Sequence, residues 1–211
     1  MQFRAVLFDW DGTLYDSIDA SFKIYEELFK KYANLDLTCD YFRQTFIVDY
    51  HKYYSMHGIP ESKWREVDDH WLKRFHEMEG EIHLFPGVKG MLDRLNTRKI
   101  KIGLVSNGTG DRIKKEMKKN GISDYFSVVI TDDEVKEFKP NPKGVKKALE
   151  IIGVGSSEAL YVGDMSEDVG AGRNAGTGTA AVTWGAHSIE RLSLAKPDYI
   201  LNSVNEIFGI L

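Results

Sequence analysis

Apolar residues follow two patterns along the chain. Six short apolar runs are typical of buried strands and occupy residues 3–9, 100–106, 126–131, 159–163, 179–183 and 198–201. Helical spacing of apolar residues occurs between the later runs, at 88–97, 110–120, 141–152, 167–175 and 188–194. Strands that alternate with helices predict a parallel sheet covered on both faces. The predicted fold class is therefore α/β, with a doubly wound, Rossmann-like parallel sheet.

The stretch between the first two predicted strands has a different character. It contains long amphipathic segments rich in charged and aromatic residues, at 17–32, 41–54 and 62–78. Breaks at Asn34-Leu35-Asp36 and Gly58-Ile59-Pro60 divide it into three or more predicted helices. We therefore predict an α/β core of residues 1–14 and 85–211, with a small all-helical cap domain, residues 15–84, inserted after the first strand.

Composition narrows the class of protein. Hydrophobic residues make up 42% of the 211 residues and charged residues 28%, as in ordinary globular proteins. The formal net charge of -4 argues against a nucleic-acid partner. The single cysteine, Cys39, excludes an intramolecular disulfide and indicates a reducing compartment. With no signal-peptide pattern and no apolar run of about 18 residues, we expect a cytoplasmic monomer or homodimer with no membrane partner.

Two aspartates follow the first predicted strand. Asp9 and Asp11 are two residues apart, so in an extended chain their carboxylates point to the same side. Like charges this close raise each other's pKa unless something compensates them. A bound cation is the simplest compensation, because carboxylate oxygens are its preferred ligands.

Other polar residues follow the later strands. Ser106 ends the second strand before a predicted helix, Lys139 lies in the loop after the third, and Asp164 and Asp168 follow the fourth. In open α/β sheets, ligands bind beyond the carboxyl ends of the strands. A metal between carboxylates, an anion at a helix N-terminus and a lysine together predict a phosphate monoester site. One carboxylate is then free to act as a nucleophile, and the spacing alone leaves open which one.

These residues resemble the motifs of the haloacid dehalogenase superfamily of phosphotransferases, in the order that the family has them. The four matching stretches are Asp9-Trp10-Asp11-Gly12-Thr13, Leu104-Val105-Ser106-Asn107-Gly108, Lys139-Pro140 and Gly163-Asp164-Met165-Ser166-Glu167-Asp168. The stretch 175–185 resembles the strand and loop that follow the fourth motif in the phosphatases of this superfamily, and the resemblance over 161–185 favours phosphoglycolate. The resemblance covers the whole core, but it covers the cap only by position and helical character.

The resemblance implies roles for the first-motif aspartates. Asp9 is expected to attack phosphorus and form an aspartyl-phosphate. Asp11 is expected to protonate the leaving group and later to deprotonate the attacking water. A Mg²⁺ ion is expected to be bound by the Asp9 carboxylate, the backbone carbonyl of Asp11 and the Asp164 carboxylate.

The later motifs imply charge stabilisation and substrate binding. Ser106 and Lys139 are expected to stabilise charge on the transferring phosphoryl group, and Asn107 to assist in binding the substrate. Asp168 is expected either to reach the metal through a water or to orient Lys139.

The resulting expectation is a Mg²⁺-dependent phosphatase of a small phosphorylated metabolite, with phosphoglycolate as the first choice. A phosphosugar mutase and a pyrophosphatase on the same scaffold remain alternatives. A dehalogenase needs neither the metal nor the second aspartate, so Asp11 and Asp164 argue against it. A phospho-signalling receiver domain has a different motif order and no inserted helices. The glycine-rich stretch 170–176 has the wrong spacing for a dinucleotide loop, so we predict close helix packing there.

Overall fold

The computed structural model describes residues 3–211, and its centre is one parallel sheet. The six strands are β1 Ala5–Phe8, β2 Lys101–Val105, β3 Val128–Ile130, β4 Ala159–Gly163, β5 Gly178–Val182 and β6 Tyr199–Leu201. Their order is β3-β2-β1-β4-β5-β6, and every neighbouring pair is parallel. The chain therefore leaves the central strand β1 first toward one edge of the sheet and later toward the other, as the doubly wound prediction requires.

Helices cover both faces of this sheet. Between β1 and β2 lie α1 Ile18–Ala33, α2 Cys39–Thr45, α3 Tyr50–Met56, α4 Trp64–Met78 and α5 Val88–Thr97. The later helices are α6 Gly110–Lys119, α7 Lys143–Ile152, α8 Ser166–Ala175 and α9 Ile189–Ala195. Strand β1 is apolar on both sides, with Val6 and Phe8 in one buried cluster and Ala5 and Leu7 in another. The predicted α/β class is confirmed; no helix within residues 3–211 is long and apolar enough to cross a membrane.

The inserted helices α1 to α4 have an aromatic interior. Tyr25 of α1 lies 5.8 Å from Phe42 of α2 and 5.7 Å from Tyr53 of α3, measured between ring centroids. All three side chains are buried. Rings at these separations, in tilted or edge-on arrangements, gain packing energy beyond the area that they bury. The aromatic residues of this block therefore serve mainly to hold its helices together.

One predicted helix is divided in two. The pattern over 41–54 predicts a continuous helix, whereas α2 ends at Thr45 and α3 begins at Tyr50. The Asp49 side chain accepts a hydrogen bond from the Lys52 N–H and so caps the second helix. The carbonyl of Phe46 accepts hydrogen bonds from His187 and Arg191, on the loop and helix after β5. These distant donors use a carbonyl that a continuous helix would need, which explains the break.

The glycine-rich stretch 170–176 lies mostly within α8, as predicted. Gly170 packs so closely on the Lys139-Pro140 loop that an added Cβ would lie 2.7 Å from Pro140. Gly176 ends the helix in the left-handed conformation, with φ 84°. These glycines therefore permit close packing and helix termination, as the sequence pattern indicated.

Candidate active site

The predicted site residues lie together at the carboxyl edge of the sheet. Strand β1 pairs with β2 on one side and with β4 on the other. Asp9, Ser106 and Asp164 therefore follow the ends of three adjacent strands, and all three side chains are buried. Buried charged groups are expensive unless they are paired or bind a metal. The concentration of buried polar groups here therefore makes this edge the candidate functional site.

Lys139 connects two of the aspartates. Its Nζ donates to Asp9 Oδ1 and to Asp168 Oδ1, each at 2.6 Å, and the lysine is itself buried. Burial alone would lower the pKa of Lys139, but the charges of Asp168 and Asp9 raise it well above its ordinary value. The Asn107 side-chain oxygen accepts the Lys139 backbone N–H at 3.2 Å. Lys139 is therefore a fixed positive charge beside Asp9.

Asp164 is held from two sides. Its Oδ1 accepts the Thr13 hydroxyl at 3.0 Å, and its Oδ2 accepts the Ala186 N–H at 2.6 Å. Gly12 passes so close that an added Cβ would lie 2.3 Å from Asp164 Oδ2, and its φ of 75° also favours glycine. The glycine of the first motif therefore lets the first loop approach the fourth motif.

Asp168 has both carboxylate oxygens in use. Oδ2 accepts the Met165 N–H at 2.9 Å at the start of α8. Oδ1 accepts from Lys139 and, at 3.3 Å, from the Tyr161 hydroxyl. This geometry matches the alternative in which Asp168 orients Lys139.

Two of these aspartates, Asp9 and Asp164, fit a divalent cation, and Asp168 lies beside them. Asp9, Asp164 and Asp168 offer oxygen atoms that all lie within 4.8 Å of one another. Burial raises the pKa of Asp9 to about 7 and that of Asp164 well above its ordinary value. A single lysine therefore undercompensates the negative charge of the cluster. A hard cation with oxygen ligands would supply what is missing.

Asp11 lies outside this cluster. Arg112 of α6 donates to both of its oxygens, at 3.0 and 2.6 Å, and the Ser17 hydroxyl donates to Oδ1 at 2.8 Å. Burial would raise the pKa of Asp11, but the Arg112 guanidinium and Ser17 outweigh it and hold that pKa below its usual range. The expected metal contact of Asp11 is through its backbone carbonyl and stays a prediction.

Ser106 begins the loop that leads into α6. Its Oγ accepts the Gly108 N–H at 3.1 Å, and its side chain is buried next to the loop that carries Asn107. A hydroxyl in this position can still donate its own proton to an anion. Its predicted contact with the phosphoryl group is compatible with this geometry.

Reasoning from the sequence missed Arg112 and Glu116. Arg112 also donates to Glu116, whose Oε2 accepts the Trp10 indole N–H at 2.7 Å. The i, i+4 spacing of the two residues on a predicted helix was the available signal. That spacing usually marks an exposed pair, and nothing in it indicates contact with Asp11.

The fold and the site define an α/β protein with a Rossmann-like parallel sheet and a cluster of buried carboxylates at its carboxyl edge. Comparison with known proteins gives the family. The model of the haloacid dehalogenase-like hydrolases matches residues 6–182, and the chain belongs to that family. The resemblance found in the four motifs is thus confirmed.

Relatives and solved structures agree with this assignment. The pyrophosphatase PpaX of Oceanobacillus iheyensis is 33% identical over 100% of this chain and 98% of its own length. That of Bacillus velezensis is 33% identical over 98% and 95%. A HAD-superfamily hydrolase of subfamily IA from Geobacter sulfurreducens shares the fold, with a TM-score of 0.71 and 23% identity over 99% and 100% of the two chains. A haloacid dehalogenase-like protein from Agrobacterium tumefaciens has a TM-score of 0.82 and 21% identity over 99% and 97%. The family and the relatives together identify this chain as a phosphatase.

Proposed function

We propose that this phosphatase depends on Mg²⁺ and hydrolyses a small phosphorylated metabolite through an aspartyl-phosphate on Asp9. The observation that carries the proposal is the buried contact between Asp9 and Lys139 at the edge of the acidic cluster. A carboxylate beside a fixed cation can approach an anionic phosphoryl group that would otherwise repel it. The contact thus supports Asp9, rather than Asp11, as the nucleophile.

The proposed reaction has two displacements. An Asp9 oxygen attacks phosphorus, and the bond from phosphorus to the leaving oxygen breaks. Asp11, which is ionised while it is paired with Arg112, takes up a proton when it leaves that pair and donates this proton to the leaving oxygen. Water then attacks phosphorus, the bond to Asp9 breaks, and Asp11 takes a proton from the water. The carboxylate of Asp9 and the proton of Asp11 are restored, and one water has been consumed.

The other residues of the site bind and orient. Lys139 and the Ser106 hydroxyl would bind oxygens of the transferring phosphoryl group, while Asn107 fixes the backbone of Lys139. Asp168 would keep the Lys139 ammonium directed at Asp9. Asp9 and Asp164, with the carbonyl of Asp11, would hold the Mg²⁺. When bound, that ion supplies charge neutralisation between the nucleophile and the phosphoryl group.

Inorganic pyrophosphate is the substrate that we propose first. It is favoured by the two PpaX relatives, each 33% identical over nearly the whole chain. Phosphoglycolate remains the alternative, indicated by the resemblance in residues 161–185. Both compounds are small polyanions, and they differ in the group on the far side of the bond that is broken.

We also propose that residues 15–84 form a cap that selects this group. Tyr50 of α3 contacts Phe138, the residue before Lys139, with 6.2 Å between ring centroids. Helix α3 therefore reaches the loop that carries the lysine. A cap that closes over the site would exclude bulk water and set which leaving groups fit.

The test is phosphate release with Mg²⁺ from pyrophosphate, phosphoglycolate, sugar phosphates and nucleotides. We expect kcat/KM for pyrophosphate to exceed the others by at least about tenfold, which corresponds to about 1.4 kcal/mol. Acid quenching during turnover should trap phosphate on the peptide that contains Asp9. Transfer of phosphate to a second hydroxyl without release would instead establish a mutase, and turnover without a trapped peptide would contradict the covalent mechanism.

A further inference from the structure

Arg112 is paired with two carboxylates, and one of them is more exposed to solvent than the other. Its guanidinium donates to both oxygens of Asp11 and, at 3.2 Å, to both oxygens of Glu116. The Glu116 side chain is 5% exposed and also accepts the Trp10 indole N–H, so it is fixed. The Asp11 side chain is 32% exposed and, within residues 3–211, has one further side-chain partner, the Ser17 hydroxyl. Of the two carboxylates, Asp11 is therefore the one that can leave.

The observed orientation of Asp11 conflicts with its proposed task. A general acid must bring an oxygen within about 2.6–3.2 Å of the group that receives the proton. Both Asp11 oxygens are engaged by Arg112, and Oδ1 also by Ser17. Transfer of a proton to a leaving group therefore requires Asp11 to give up at least part of its pairing with Arg112.

Glu116 makes that departure possible. A buried guanidinium left without a partner is strongly destabilising. Arg112 is largely buried, but its contacts with Glu116 do not depend on Asp11. When Asp11 turns toward the substrate, Arg112 keeps a partner and remains in place for its return.

We propose that Arg112 is a positioning residue for Asp11, holding it in a resting orientation from which it turns to the substrate while Glu116 keeps the guanidinium paired. This inference rests on the proposed acid–base function of Asp11. Without Arg112, the Ser17 contact is the one side-chain hydrogen bond of Asp11 that remains in the described part of the chain. Fewer substrate complexes then have the acid in reach of the leaving oxygen.

Arg112 also contacts the inserted helices. The Phe75 ring of α4 lies 5.1 Å from the guanidinium carbon and is itself buried. A cation over an aromatic face is attracted to it. Arg112 thus contacts both Phe75 of α4 and Asp11. A movement of α4 on substrate binding would therefore shift the guanidinium that pairs with Asp11.

The test is the dependence of kcat/KM on the leaving group, measured with 2,4-dinitrophenyl, 4-nitrophenyl and phenyl phosphate. This parameter reports the steps up to departure of the leaving group, so hydrolysis of the intermediate does not enter. Poor leaving groups need the acid most. We expect Arg112→Met to lower kcat/KM for phenyl phosphate about 10- to 100-fold more than for 2,4-dinitrophenyl phosphate, part of the 10²–10⁴-fold that general acid catalysis contributes.

Two further variants separate positioning from folding. Arg74→Met removes a comparable two-point pair between Arg74, on the outside of α4, and Glu27 of α1. This variant should leave the leaving-group dependence unchanged. Arg112→Lys keeps the charge but cannot donate two parallel hydrogen bonds, so it should give an intermediate effect. If the methionine variant does not fold, the lysine variant carries the test alone. An equal loss for all three substrates, or none, overturns the proposal.

Asp11→Asn tells the two hypotheses apart. It should steepen the leaving-group dependence at least as much as Arg112→Met does. If Asp11→Asn steepens it and the Arg112 variants do not, the positioning role is overturned and the proposed function survives. If Asp11→Asn leaves it unchanged, the acid role of Asp11 is wrong, and the positioning role falls with it.

Discussion

The carboxyl edge of the sheet and the inserted helices have opposite interiors. At the sheet edge the buried groups are charged and contact one another directly, as Lys139 does with Asp9 and Asp168. In the inserted block the buried groups are aromatic rings such as Tyr25 and Phe42. Charged contacts depend on each partner, whereas apolar packing tolerates substitutions of similar volume. If the proposed function holds, the chemistry should depend on individual residues of the core, and the choice of substrate on the shape of the inserted block.

Asp9→Asn, in the charged interior of the core, should give the largest loss of turnover. The substitution keeps the size of the side chain but removes the nucleophile, so we expect turnover to fall at least about 10³-fold. Phosphate release and a circular dichroism spectrum check the loss and the intact fold. Asp36→Asn, which changes an exposed aspartate paired with Lys30 on the inserted block, is the matched control. Retained turnover of more than a few per cent would contradict the role of Asp9.

Metal removal should have nearly as large an effect. Excess EDTA should lower activity at least about 10²-fold, because the metal contributes several kcal/mol of charge stabilisation. Mg²⁺ should restore activity, whereas Ca²⁺ should inhibit because of its larger and looser coordination shell. Mg²⁺ at a hundred times its Kd should also stabilise the fold by about 2.7 kcal/mol. In Asp164→Asn, the increase in melting temperature on addition of Mg²⁺ should be smaller than in the unaltered protein. Full activity of the unaltered protein in EDTA would point to dehalogenation.

His187→Phe tests the junction between the two regions. The Ser166 N–H donates to His187 Nδ1, so Nε2 carries the proton that it donates to Phe46. Loss of these bonds should cost about 1–3 kcal/mol near pH 7.5. His76→Phe, at an exposed position of α4, should change stability little. An unchanged melting temperature in His187→Phe would mean that this contact does not join the regions.

The cost of His187→Phe should depend on pH. Burial, with the Arg191 charge, lowers the pKa of His187 to about 3, despite Glu167 at 3.9 Å. The unfolded chain binds this proton near pH 6.5 and the folded chain only near pH 3, so stability from the neutral ring is complete above pH 6.5 and declines below it. The difference in melting temperature between wild type and variant should therefore be smaller at pH 5 than at pH 7.5.

Tyr50→Ala should give the smallest effect. It removes the ring contact with Phe138, and such a pair contributes about 0.5–1.5 kcal/mol beyond its buried area. We expect a change of about two- to tenfold in the ratio of kcat/KM for pyrophosphate to that for phosphoglycolate. Tyr41→Ala, exposed on α2, is the control. A loss of kcat that is equal for both substrates would show that Tyr50 supports the chemistry rather than the selection.

The sheet and its acidic edge were predictable because their signals are local. Apolar runs locate the strands, and parallel strands place the residues that follow them at one edge. Asp9, Ser106 and Asp164 could therefore be brought together before any coordinates were known. The pairing of Asp168 with Lys139 was one of two alternatives, and only the distances favour it.

The remaining contacts join residues far apart in sequence. Arg112 meets Asp11 across 101 positions, and His187 meets Phe46 across 141. No periodicity carries information about such pairs. The break between α2 and α3 follows from the second of them, so the continuous helix predicted over 41–54 was wrong for a reason outside that stretch. The division into core and cap stays a prediction.

The carbonyl of Phe46 has a consequence for protein engineering. Because His187 and Arg191 donate hydrogen bonds to it, the loop and helix after β5 provide contacts that hold the inserted helices. His187 also accepts the N–H of Ser166 at the start of α8. A chimaera that received foreign helices at positions 15–84 would therefore need the matching loop and helix after β5 as well, so the interchangeable module comprises two segments of chain.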